Sequence, residues 1–371
     1  MAKPKVGIAT WYRNGNFGGT LQAFALANVI DKFGYQSEFI SYLPNYNIKN
    51  KILRLLKNLV FSLFYPSSSS SRKMIWSFVK NELQQSPTFT MYDHLQKYAN
   101  DNYSAAICGS DQIWNCVKCI EEFYFLTFIE KDKRIAYAPS VGVQSINKQY
   151  HDKFCQYISE IPFLSIRETK GQSIIKEITG RNAKLVLDPT LLLTAEEWLQ
   201  FSKKQSTENV NIDKEYILCY FIGENIEYYK FVNKFAAKVN LPIYYISSKR
   251  KDMGDSQIPC GVREFIKQID NAKYFFTDSF HGLCFSIIFQ KHVGVFWRFS
   301  ENDPISQNSR VANLINLLNL NILIVDKDTV FESFISSPPN YCTSNIILDM
   351  LRKDSIDYLY NALQKVTNNL M

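Results

Sequence analysis

Repeatedly along this chain, an apolar and β-favouring run breaks into a small polar turn and then resumes at helical period. The clearest case is Ala272–Phe289, AKYFFTDSFHGLCFSIIF. Tyr274, Phe275 and Phe276 favour a strand, Thr277, Asp278 and Ser279 turn the chain, and an apolar helix follows. Such a unit holds its polar side chains at the strand's carboxyl end, where ligands bind in open α/β sheets. The helix start adds unpaired N–H groups and a partial positive charge that suit an anion. His281 falls there, one of four histidines in the chain. It is either an acid–base group working near neutral pH or an imidazole packed against the sheet.

The same unit opens the chain. Lys5–Thr10 reads as a strand, Trp11–Thr20 as a glycine-bearing loop and Leu21–Ile30 as a helix ending near Gly34. Asn16, Gly18 and Gly19, with Ser110 further on, are candidates for anion or acceptor binding, since glycine lets backbone approach a ligand closely. The spacing is not G-x-G-x-x-G, so a dinucleotide is not indicated, and a plain tight turn is the competing reading. Tyr103–Cys108 delivers Gly109-Ser110-Asp111, Arg134–Ala138 ends at Pro139, and Leu164–Glu168 places Arg167 and Glu168 at another strand end. Lys184–Thr190 closes this half. Thr194 and Glu197 have capping-box spacing, and polar Lys203–Lys214 reads as a connection. A second α/β half starts at Tyr216–Gly223. Its helices are expected over Glu227–Val239 and Gly261–Asp270, its strands at Ile243–Ile246 and Val293–Trp297, with Arg298 and Arg310 in a following loop.

At 371 residues with 46% hydrophobic content, the chain suits two folded domains. We expect 1–195 as an N-terminal Rossmann-like domain and 210–345 as its C-terminal counterpart. A final helix over 346–371 would cross back onto the first. The net charge of +7 favours anionic ligands or an anionic membrane surface but is too dispersed to indicate nucleic acid. Residues 48–65, IKNKILRLLKNLVFSLFY, are amphipathic and basic. They suit either an anionic membrane surface or packing on the protein itself. Pro66 and Ser67–Ser71 are expected to end that helix in a loop, and Pro87 to break the helical Trp76–Leu83. The eight cysteines lack framework spacing, and Cys116 and Cys119 form one C-x-x-C without further ligands, so no metal is expected. A cytoplasmic location follows as an expectation from the reduced thiols and the lack of a secretory signal.

Taken in order, NFGGTLQAFAL, ICGSDQIWN, RIAYAPSVG, LSIRE, LVLDPTLLL, FTDSFHGLCFSIIF and NSR resemble the polysaccharide pyruvyl transferase family, over roughly residues 5–320. The closest look-alikes are bacterial members from capsule and exopolysaccharide clusters. The resemblance implies an α/β fold with two Rossmann-like domains in a glycosyltransferase-B-like arrangement, with a cleft between them. It also implies transfer of pyruvate from phosphoenolpyruvate onto two hydroxyls of a sugar to form a cyclic ketal, with no cofactor. The family's Arg-x-His block matches Ser279-Phe280-His281, so the histidine carries over and the arginine does not. The Arg-Asp/Glu block matches Arg167. Arg298, Arg310 and Lys291 are candidates for a further basic donor contact, with Arg310 the residue expected to compensate for Ser279.

On this reading His281 is the general acid, its proton held by Asp278 or by substrate phosphate. Arg167 grips the donor through its planar fork, or else pairs with Glu168. Asp111 is the base, or else a cap on the run from Gln112. Expected partners are phosphoenolpyruvate, a sugar acceptor carried on a lipid-linked oligosaccharide, and the inner membrane face. Two rivals are a nucleotide-sugar glycosyltransferase of the same architecture and a non-catalytic glycan-binding relative.

Overall fold

A computed structural model describes residues 3–44, 64–204, 215–246, 256–300, 303, 305–326 and 328–368. The basic segment 48–65 lies outside these residues except at its last two positions, as does most of the connection 203–214.

Two parallel sheets form the framework. The first has the order β3-β2-β1-β4-β5, built from β1 (Lys5–Ala9), β2 (Gln36–Tyr42), β3 (Gln85–Phe89), β4 (Ala105–Cys108) and β5 (Arg134–Ala136). Short β6 (Ser165–Ile166) and β7 (Lys184–Leu185) pair beside it as a separate two-stranded sheet. The second large sheet is β10-β9-β8-β11-β12-β13, from β8 (Ile217–Tyr220), β9 (Ile243–Ile246), β10 (Gln257–Ile258), β11 (Tyr274–Thr277), β12 (His292–Phe296) and β13 (Leu323–Val325). Central strands such as Ala105–Cys108 and Tyr274–Thr277 are buried at every position. That burial explains their unbroken apolar character, because helices cover both faces of a parallel sheet.

In each large sheet the strand order reverses once, between β1 and β4 and between β8 and β11. Turns leaving adjacent strands diverge at such points and leave a crevice. The two crevices face each other, and the core runs through both halves. The Phe17 ring of the first helix (Phe17–Lys32) stacks on Phe265 of the second half, with centroids 4.4 Å apart and planes 10° apart.

Two expectations need correction. Pro66–Ser71 is not a loop but the opening of a helix that runs Pro66–Glu82, with proline at the first helical position, where its missing N–H costs nothing. Its small serines let the helix press against the second half, and Ser71 Oγ accepts from the Cys260 N–H at 2.9 Å. Pro87 does not break a helix but lies in β3, an edge strand, where a missing donor is tolerated. Thr194 and Glu197 do form a reciprocal capping box. The last helix, Cys342–Asn368, packs on the first half. Ser355 Oγ accepts from the Leu187 N–H at 3.0 Å, and Tyr358 donates to the Ala136 carbonyl at 3.2 Å. Among the described residues no helix is long and apolar enough to cross a membrane.

Candidate active site

Between the two reversal points lies a cavity of about 460 Å³. The loop after β1, Asp111 and Gln112 after β4, and one face of the helix Pro66–Glu82 form one wall. The turns after β8, β11 and β12, with Gln307 and Arg310, form the other. Two helix N-termini open onto it, those of Phe17–Lys32 and Phe280–Ile288, and both bring positive potential.

His281 lies on the second-half wall, 8% exposed. Its Nε2 points inward, 3.6 Å from Asp188 Oδ2, an ion-pair separation longer than a hydrogen bond. Its Nδ1 edge abuts Gly18 so closely that a Cβ there would lie 2.1 Å from Nδ1. Gly18 is therefore glycine because of the ring beside it. Asp111 also lines the cavity, in the left-handed region at φ 71°. Its Oδ1 accepts from the Gln112 N–H at 2.8 Å, but no helix follows, so it is not a helix cap.

Arg298 and Arg310 face the cavity without a carboxylate partner among the described residues. Both donate to Gln307 Oε1, at 2.6 and 2.7 Å. Gln112, in the amide orientation that satisfies both its ends, accepts from Arg310 Nη1 and Nη2 at 3.0 and 2.9 Å. Arg310 Nε is buried with no partner there. Burial, together with the Arg167 and Arg298 charges, pushes the Arg310 pKa down to about 9. A buried cation that is paired only with amides is poised for an anion.

Several sequence-based assignments shift. Arg167 does not line the cavity but lies one layer behind it. Its Nη1 donates to Asp188 Oδ2 at 2.6 Å, its Nη2 is 3.6 Å from Asp111 Oδ1, and its guanidinium stacks over Phe280. Glu168 is 3.8 Å from Arg167 and mainly holds the turn after β5, accepting from Val141 N–H and Ser140 Oγ. Asp278 does not face His281. Its two oxygens accept from the Ile222 and Gly223 N–H groups, each at 2.7 Å, and burial raises its pKa despite those bonds.

Ser279 reaches the cavity, but its Oγ serves as the helix cap, accepting from the Gly282 N–H. Lys291 precedes β12, at the sheet edge away from the cavity, and its Nζ donates to the Asp270 carbonyl at 2.6 Å. Asn16 lines the cavity and caps the first helix, accepting from the Gly19 N–H. Gly19 is set by the Trp11 carbonyl, 2.6 Å from where its Cβ would be. Ser110 is fully buried and donates to the Ala138 carbonyl and Asp188.

Asp188, 3.6 Å from the His281 ring, is a site residue candidate that the sequence reading did not single out. It is buried, and burial alone would raise its pKa, but His281, Arg167 and the Thr190 N–H hold it well below the usual carboxylate range. The available signal was a carboxylate at a strand end, directly before a proline. Gln112, Gln307 and Arg72, also on the cavity wall, carried no such signal.

The sequence profile described as polysaccharide pyruvyl transferase matches residues 16–298. The chain belongs to the polysaccharide pyruvyl transferase family. No curated protein matches it significantly. Among solved structures, this family member is similar to the UDP-N-acetylglucosamine 2-epimerase of Rickettsia bellii. Identity there is 8%, the TM-score is 0.52, and 98% of this chain and 97% of that one are covered. It is also similar to the UDP-GlcNAc 2-epimerase of Methanocaldococcus jannaschii, at 11% identity and TM-score 0.49, with 95% and 100% covered. A third is an α-glucosyltransferase in complex with UDP and DNA, at 10% identity and TM-score 0.49, with 98% and 96% covered. The fold is that of the glycosyltransferase-B class, with two Rossmann-like halves flanking a cleft. Membership makes this transferase a polysaccharide-pyruvylating type of enzyme.

Proposed function

We propose that the protein transfers pyruvate from phosphoenolpyruvate to two hydroxyls of one sugar, forming a cyclic ketal, with His281 as general acid. The observation that carries this reading is the presence, in one cavity, of His281 and two arginines that lack acidic partners among the described residues. Phosphoenolpyruvate carries a carboxylate and a phosphate on a three-carbon enol, so it needs separate cationic contacts and one proton donor. Arg310 and Arg298 take the anionic ends, and Arg310 supplies the charge missing at Ser279. Arg167, behind the wall, contributes field rather than contact.

His281 protonates the methylene carbon, and the adjacent carbon becomes electrophilic. One sugar hydroxyl attacks it and gives its proton to Asp111. Phosphate leaves with its bridging oxygen, and the second hydroxyl closes the ring. Of the two hydroxyl protons released, one replaces that spent on the methyl group and the other departs with phosphate. The acceptor is proposed to be a lipid-linked oligosaccharide of a capsule or exopolysaccharide pathway. Residues 48–65 would hold the protein peripherally at an anionic membrane, which flotation with anionic liposomes tests.

A nucleotide-sugar donor has less support. The Ile222 and Gly223 N–H groups, at the reversal point where a diphosphate would sit, are already occupied by Asp278. Incubation with phosphoenolpyruvate and a panel of lipid-linked or nitrophenyl sugars should yield free phosphate and a matching mass gain. His281→Ala should reduce turnover by about two to four orders of magnitude. Nucleotide release, or unchanged turnover in that variant, would defeat the proposal.

A further inference from the structure

We propose that Asp188 is the positioning residue for His281, fixing the orientation in which its ring meets substrate. This rests on the reading of His281 as the general acid.

The carboxylate is immobilised before it meets the ring. Thr190 donates to Oδ1 through its N–H at 3.0 Å and its hydroxyl at 2.8 Å. Oδ2 is thereby aimed at Arg167 Nη1, Ser110 Oγ and His281 Nε2. On the opposite edge, Gly18 leaves just enough space for Nδ1. The imidazole is thus held between a carboxylate, at ion-pair distance from Nε2, and the bare backbone of Gly18 at Nδ1.

The charged groups around the ring leave Asp188 as its carboxylate partner. Arg167 and Arg310 both lie over the ring of Phe280, the residue before His281, and Arg298 and Arg310 line the same cavity. Cys284, one turn further along the same helix, is a buried thiol whose pKa burial lifts well above its ordinary value, so it stays neutral. Asp111 and Glu224 are the other acids on the wall, and Asp111 Oδ1 is engaged by the Gln112 N–H and lies 3.6 Å from Arg167 Nη2. Among the described residues Asp188 is the carboxylate within ion-pair distance of the His281 ring, and the same oxygen accepts from Arg167.

The pair also spans the two halves. Asp188 follows β7, and the final helix clamps its turn through Ser355 and through Arg352, whose Nε donates to the Leu191 carbonyl at 2.8 Å. His281 comes from the turn after β11. The acid is therefore assembled only while both halves and the returning helix are docked.

The test compares kcat and KM for phosphoenolpyruvate in wild type, Asp188→Asn and Thr190→Val, with the ring-nitrogen NMR signals of His281, identified by their loss in His281→Gln, as the readout of ring placement. Asp188→Asn should move those signals and cut kcat by roughly 10²-fold or more while KM stays within about 3-fold, because the Arg298 and Arg310 contacts remain. Thr190→Val removes the hydroxyl bond to Oδ1 while keeping the backbone one and the Arg167 pair, and should have the same effects to a smaller extent. That variant carries the test if Asp188→Asn does not fold. Ring signals unmoved in the folded variants would overturn the proposal, as would equal losses in KM and kcat. If His281→Ala keeps wild-type turnover while the signals still move, the acid reading falls and takes the catalytic part of this proposal with it, leaving only a structural ion pair.

Discussion

Replacing Gly18 by alanine tests the site with a single methyl group. Gly18 is the second residue of the helix Phe17–Lys32 and does not adopt a positive φ, so alanine fits its backbone. The new Cβ would lie 2.1 Å from His281 Nδ1 and 2.6 Å from Cγ, where ordinary contact begins at 3.4 Å. To restore contact the ring must retreat by roughly 1.3 Å. Behind it stand Asp188 and the edge of the Phe280 ring, with centroids 5.3 Å apart. A proton donor misplaced by about 1 Å costs on the order of 10² in rate. Helix propensity gains up to about 1 kcal/mol from alanine while overpacking costs about 1–3 kcal/mol, so stability should change by no more than about 3 kcal/mol. Phosphate release from phosphoenolpyruvate with saturating acceptor reads the rate, and calorimetry reads donor binding. We expect kcat to fall about 100-fold with donor affinity nearly unchanged, because neither arginine moves. A Gly18→Ala enzyme with a displaced ring and wild-type kcat would refute the reasoning.

Arg310→Met should weaken phosphoenolpyruvate binding by roughly 10- to 100-fold in calorimetry. Because it removes a buried cation lacking an acid, it should leave the melting temperature unchanged or higher, so a large fall in melting temperature would argue against an anion-seeking role. Asp278→Asn removes one acceptor from the clamp on Ile222 and Gly223, and should cost about 1–3 kcal/mol in urea unfolding. Folded Asp278→Asn enzyme should keep near-normal kcat, whereas a catalytic Asp278 predicts loss without destabilisation. Burial lowers the His292 pKa below 6.5 although its bond to the Phe334 carbonyl pulls upward. The unfolded chain therefore binds more protons below that value, and this contribution to stability is lost as pH falls through 6.5. In thermal melts between pH 5 and pH 8, His292→Gln should flatten that dependence, and an unchanged slope would assign it elsewhere.

What could be read from the chain was what is local. The turns after β1, β4, β8 and β11 were visible because a strand and the helix that follows it are specified by adjacent residues. Their shared destination follows from parallel pairing. Lys291 shows that rule left unused: it stands before β12 and Arg298 after it, so the carboxyl-end argument alone already separates them. The serine run after Pro66 was misread because its small side chains serve close packing between halves, which composition reports as loop.

The harder errors concern partnership across the fold. Asp278 is close to His281 in sequence, yet the turn points its carboxylate at the neighbouring strand's backbone, and the ring meets Asp188 from the other half. Ser279 is a helix cap, and in the proposed reading the charge expected two residues before the histidine comes from a different helix, Asn308–Leu317. Arg310 places its guanidinium 5.6 Å from the Phe280 ring centroid, beside the histidine. A site that assembles its cation and its carboxylate from separate elements can exchange one residue for another without moving the chemistry. For that reason its logic lies in the geometry rather than in any one motif.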